Sequence, residues 1–274
     1  MKKWILFLAL TAAISLLAAC GGEEAGGSES ESKEITFGAT AGPYSDMVTK
    51  AIKPGLEEKG YTVEVKEFSD YIQPNNALAE GDLDANLFQH KIYMETFAEQ
   101  NGLELSEVIV VPTAPMGIYS TKFDSIEAIE DGSSIAIPND PTNAARAFQI
   151  LQDAGLITLN PDSDPLTVSE KDVEENVKNL KFQPIEAAQL PRAVESTDLS
   201  AVPGNYALAA KMDLLDALQL ENMPDQYRNR VVMNTAEVDS QLAKDIIEVV
   251  ESEEFEATID EEFKGFGKPE WMEE

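Results

Sequence analysis

The chain is short of cysteine, histidine and basic residues. Among its 274 residues Cys20 is the single cysteine and His90 the single histidine. One cysteine excludes an internal disulfide, so the core must hold the fold without covalent staples. One histidine argues against a histidine-based zinc site and leaves a hydrolase short of a nucleophile–base pair. Neither a metal nor a cofactor is implied. The 20 Lys and Arg stand against 51 Asp and Glu, a net charge of −31. Nucleic acid is thereby excluded as a partner, because phosphate binding needs a basic footprint. The acids are spread along the chain, as on a solvated surface, and salt would screen their mutual repulsion. After residue 19 no apolar run approaches the ~18 residues of a bilayer-spanning helix.

What is present starts at the first residues. Lys2 and Lys3 precede an apolar run from Trp4 to Ala19, which ends Leu17-Ala18-Ala19-Cys20. Basic, apolar and small residues in that order form a secretory signal over 1–19. At about 16 residues the run is short for a transmembrane anchor. Leu-Ala-Ala-Cys resembles a lipobox, which implies cleavage before Cys20 and acylation there. Two or more acyl chains hold a protein on a membrane. Residues 20–33, mostly Gly, Ser and Glu, read as a flexible tether. The implied address is the extracytoplasmic face of the cell membrane.

From residue 34 strands and helices alternate. Strands are expected over 35–39, 61–68, 84–88 and 105–111, with helices from 42 to 60, 75 to 80 and 92 to 101. The pattern restarts after Pro115. Extended segments at 117–119, 134–138, 180–182 and 199–202 are separated by helices at 125–130, 143–154, 190–195 and 206–211. A last strand at 230–233 and a helix over 240–254 follow. This is an α/β pattern of βαβ units and mostly parallel sheet. Two such units in tandem place a ligand in the cleft between them, at the carboxyl ends of the strands.

Four clusters could line that cleft. Phe68–Leu78 follows a strand and opens a helix; Tyr71 offers a ring and a hydroxyl, and Asn75 either a ligand contact or a helix cap. Gly81–Tyr93 gathers Phe88, His90 and Tyr93 at a strand end. His90 has no visible nucleophile partner, so it reads as a pocket wall or hydrogen-bond donor and not as a base. Ile137–Ala147 starts a helix whose free N–H groups favour an anion, with Asn143 and, one turn on, Arg146. Arg146 could grip a carboxylate with two N–H groups or form an ordinary salt bridge. Ala201–Ala207 carries Asn205 at a helix start, either a ligand contact or a cap.

These stretches together resemble the NlpA/MetQ family of methionine-binding lipoproteins. The matching runs are Phe-Ser-Asp-Tyr-Ile-Gln-Pro-Asn (68–75), Gly-Asp-Leu-Asp-Ala-Asn-Leu-Phe-Gln-His (81–90), Pro-Met-Gly-Ile-Tyr-Ser (115–120), Ile-Pro-Asn-Asp-Pro-Thr-Asn (137–143) and Ala-Ala-Gln-Leu-Pro-Arg (187–192). The resemblance implies a two-lobed, periplasmic-binding-protein-like (type II) α/β fold with ligand in the interlobe cleft. It places residues 34–114 and 230–274 in lobe 1 and residues 115–229 in lobe 2, where the strand and helix pattern alone also allows two sequential domains. It implies a monomeric solute-binding protein, not an enzyme, serving an ABC permease and its ATPase. Arg146 resembles the carboxylate anchor. Tyr71, Phe88, His90 and Tyr93 resemble the side-chain walls, and Asn143 a further polar contact. Many members carry Ile-Asn-Thr or Ile-Asn-Gly where this chain has Val202-Pro203-Gly204, and proline has neither a side-chain donor nor a backbone N–H. Asn205 is the compensating candidate. L-methionine is the implied ligand. D-methionine, a methionine dipeptide, another small amino acid and a non-transport surface role stay open.

Overall fold

The computed structural model describes residues 33–273; the signal over 1–19, Cys20 and nearly all of the tether lie outside these residues. The first sheet contains β1 (Lys33–Thr40), β2 (Tyr61–Phe68), β3 (Ala85–His90) and β4 (Leu105–Val110). The second contains β5 (Gly117–Tyr119), β6 (Ser134–Pro138), β9 (Lys181–Ile185), β10 (Leu199–Val202) and β11 (Gln219–Leu220). Between β6 and β9 the strands β7 (Ile157–Leu159) and β8 (Val173–Asn176) form a separate antiparallel pair. The last strand, β12 (Asn229–Asn234), returns to the first sheet, whose order is β2-β1-β3-β12-β4; the second runs β11-β5-β10-β6-β9.

Each sheet mixes parallel and antiparallel pairs. β1 runs parallel to β2 and β3, while β12 runs antiparallel to β3 and β4. In the second sheet β6 is parallel to β9 and β10, and β5 is antiparallel to β10 and β11. The antiparallel strands are those flanking the two crossings between sheets, where the chain enters from the other lobe without a βα crossover. β3 and β10 are buried throughout, the mark of strands covered on both faces. Both sheets therefore sit inside α/β lobes.

Two sequence expectations need correction. Residues 125–130 form bends and turns, not a helix. The segment is too short to offset the cost of nucleation. The helix expected over 240–254 is two helices, Gln241–Val250 and Glu253–Glu262. Ser252 makes the break: its hydroxyl accepts from Phe255 N–H at 3.2 Å and starts the second helix. Phe255 and Ile259 are thereby turned into the first lobe's core beside Val249 and Val250.

The residues after the parallel strands meet between the lobes. β1 leads to Tyr44, β2 to Tyr71, and β3 ends on His90. Across the cleft β6 leads to Asn143 and Arg146, and β10 to Asn205. The crossings themselves are strapped from behind. Thr113 pairs with Gly267, and Trp271 Nε1 donates to the Val110 carbonyl at 3.1 Å.

Candidate functional site

Tyr71, Phe88, His90, Tyr93, Asn143, Arg146 and Asn205 all line one cavity between the lobes. About 330 Å³ of space within the cavity and its mouth is unfilled by atoms. The enclosed room is only about 20 Å³, enough for a water, so the walls must part to admit an amino acid.

Arg146 projects from the helix Pro141–Asp153. Asp140 caps that helix, its carboxylate accepting Asn143 N–H at 2.9 Å, and Pro141 occupies the first turn. Asn143 and Arg146 share a face, and Arg146 Nη1 donates to Asn143 Oδ1 at 2.8 Å. Arg146 also has a partner inside the protein. Its Nε and Nη2 donate to Glu221 Oε1 and Oε2 at 2.8 and 2.6 Å, with both side chains buried. The ordinary salt bridge of the sequence reading is therefore present. A guanidinium has five N–H donors, so donors are left over for a second acceptor.

His90 ends β3 and caps the helix Lys91–Asn101. Its Nδ1 accepts from Tyr93 N–H at 3.1 Å. That bond puts the ring proton on Nε2, which faces Asn143 Oδ1 at 3.3 Å across the cleft. Burial, and secondarily the nearby Arg146 charge, pushes the imidazole well below its usual pKa. The ring is a neutral donor.

An aromatic box forms the opposite wall. The Tyr71 ring lies 5.8 Å from Phe88, 5.8 Å from Tyr93 and 5.0 Å from Tyr206. The Tyr93 hydroxyl donates to the Tyr71 carbonyl at 3.0 Å and fixes the loop that carries Tyr71. Burial raises the Tyr71 pKa well above 10, so its hydroxyl keeps its proton. That proton goes to Asn205 Oδ1 at 2.7 Å. Asn205 Nδ2 is then buried with no partner among the described residues, in the wall of the cavity. Pro203 caps the Gly204–Ala209 helix through its carbonyl alone, which accepts from Tyr206 and Ala207 N–H at 3.0 Å each. The side-chain amide in this corner is supplied by Asn205.

Asn75 neither caps its helix nor lines the cavity. It exchanges amide hydrogen bonds with Gln89 at 2.7 and 2.6 Å and accepts from Asn86 at 3.0 Å. This buried amide cluster supports β3 from below. Sequence reading missed Glu221, Asn229, Tyr44 and Tyr206. Asn229 enters the cavity because β12 pairs it with His90. Glu221 has no local signal: it follows a two-residue strand and meets Arg146 only through the fold.

Two α/β lobes around a buried cavity with an arginine, free amide donors and an aromatic box define the periplasmic-binding-protein-like type II fold. The family model described as NlpA lipoprotein matches residues 35–271. The chain belongs to that family. It is 34% identical over 272 residues to the D-methionine-binding lipoprotein MetQ of Salmonella typhi, covering 98% of this chain and 99% of that one. It is 34% identical over 270 residues to the methionine-binding lipoprotein MetQ of Bacillus subtilis, covering 97% of each. A nutrient binding protein from Burkholderia cenocepacia, solved bound to methionine, superposes with a TM-score of 0.80 at 37% identity, over 84% of this chain and 97% of that one.

Proposed function

We propose that this chain is a lipid-anchored solute-binding protein that hands methionine, or a closely related small amino acid, to an ABC importer. It acts as a monomer on the extracytoplasmic face, tethered through Cys20, and breaks no bond. Residues 34–114 and 230–274 act as lobe 1 and residues 115–229 as lobe 2. The permease and its ATPase are the partners.

The observation that carries this reading is the pairing, in one closed cavity, of spare Arg146 and Asn205 donors with an aromatic box. In the proposed complex the ligand carboxylate takes the free guanidinium N–H groups and Asn205 Nδ2. Asn143 and His90 hold Arg146 and the far wall in place. A thioether is polarisable and suits the ring edges of Tyr71, Phe88 and Tyr93, at about 0.3–1.5 kcal/mol per contact. Ligand favours closure by binding the closed arrangement better than the open one. Relatives whose names carry methionine or D-methionine support the same side chain.

Calorimetry of the purified protein with L-methionine, D-methionine and methionine dipeptides tests this. Saturable one-to-one heat with one of them is expected. No heat with any, and no small molecule carried through native mass spectrometry, would refute it.

A further inference from the structure

Among the described residues Arg146 is the only Lys, Arg, Asp or Glu whose side chain lines the cavity. A lone buried guanidinium would prefer a simple anion, since an added ammonium would repel it. Glu221 changes that balance. It lies behind Arg146, outside the lining, and takes the Nε–Nη2 edge with both oxygens. It cannot swing away easily. Met116 N–H donates to Glu221 Oε2 at 3.1 Å, and Glu221 N–H donates to the Met116 carbonyl at 2.9 Å. Side chain and backbone are thus both pinned to the start of β5, just past the first crossing. The remaining polar groups of the lining are neutral: His90 without its second proton, the tyrosines with theirs. Asp140 reaches Arg146 only through the Asn143 amide, and it is partly exposed and so screened.

We propose that Glu221 is a specificity-determining residue: by balancing Arg146 it makes the site select a net-neutral zwitterion over an anion of the same shape. The inference rests on the methionine reading above. Glu221 acts through Arg146 and does not touch the ligand. The neutral ion pair still directs free N–H groups at the ligand carboxylate. The ligand must therefore bring its own positive charge to balance the carboxylate. A compound without the ammonium leaves a net negative charge in a desolvated cavity, which is costly.

The test compares L-methionine with methylthiobutanoate, its amine-lacking anion, by calorimetry. The wild type should favour methionine by about a hundredfold. Glu221→Gln should shift that ratio toward the anion by about tenfold or more, whatever happens to the absolute affinities. Glu221→Asp, which keeps the charge, should hold the wild-type ratio. If Glu221→Gln does not fold, Glu221→Met removes the charge at similar length and carries the same comparison. A wild type that binds both compounds equally, or an unchanged ratio in the folded uncharged variant, overturns the inference and leaves the methionine reading standing. A wild type that binds neither compound overturns the inference, and the methionine reading falls with it if D-methionine and the methionine dipeptides give no heat either.

Discussion

The Tyr71 hydroxyl and the Asn205 amide oxygen meet at 2.7 Å across the cleft, one from each lobe. This bond holds the lobes together at the cavity wall and aims the Asn205 N–H groups inward. Tyr206 adds a weaker strap, its hydroxyl donating to the Ser69 carbonyl at 3.3 Å. Tyr71→Phe keeps the ring packing and deletes the bond. A buried neutral hydrogen bond is worth about 0.5–1.5 kcal/mol, so ligand affinity should fall roughly two- to tenfold. Thermal stability without ligand should change little. Titration of the variant by calorimetry checks the first, and a melting curve the second.

Arg146→Ala should weaken ligand binding by more than about tenfold, because the ligand carboxylate loses its charged partner. The same change strands Glu221 as a buried carboxylate, so stability should fall by about 3–5 kcal/mol. Arg146→Met combined with Glu221→Leu removes both charges. Denaturant unfolding should show the double variant more stable than Arg146→Ala, while calorimetry shows binding still lost.

His90 sets an acid limit on the fold. Its folded pKa lies well below its unfolded value of 6.5. Above pH 6.5 both states are neutral and the group contributes no pH dependence. Below that, the unfolded chain binds a proton that the buried ring refuses, so stability drops as pH falls. The slope approaches about 1.4 kcal/mol per pH unit. Melting temperatures from pH 7 to 5 should fall more steeply in the wild type than in His90→Gln.

Gly204 is required by close approach. A Cβ there would lie 2.4 Å from the Pro115 carbonyl oxygen and 2.7 Å from Ala114 Cβ. Gly204→Ala must push the Gly204–Ala209 helix, and Asn205 with it, away from the first crossing. Such overpacking costs about 1–3 kcal/mol. Ligand affinity should fall along with the melting temperature, whereas Gly81→Ala, strained by its φ of 81° with nothing within 4 Å, should lower only the melting temperature.

The net charge of −31 should make stability depend on salt. Added NaCl screens repulsion among exposed carboxylates, so the melting point should rise from about 0.05 to 2 M. A flat profile would show that the ion pairs already present suffice.

Much of the fold was legible because its strands carry local signals. β2 alternates in burial as it alternates in sequence, and β3 and β10 fall where extended segments were expected at 84–88 and 199–202. Tyr71, Phe88, His90, Asn143, Arg146 and Asn205 could be placed near a cleft because each lies at the end of a strand or just after one in a repeating α/β pattern. The break at Ser252 was hidden because a serine in an acidic helical run looks like any solvated position. Asn75 was ambiguous for a similar reason: an amide after a strand can cap, bind or pair, and only its distance to Gln89 decides.

By itself the sequence determined the α/β alternation and the acidic surface, though not β7, β8 or β11, because those two depend on composition and short-range period. Tertiary structure alone decided that Glu221, 75 residues from Arg146, neutralises it. It alone brought Asn229 beside His90, through the pairing of β12 with β3. Both contacts depend on the chain crossing twice between sheets. Charge balance is set by distances through space, and no local pattern encodes those.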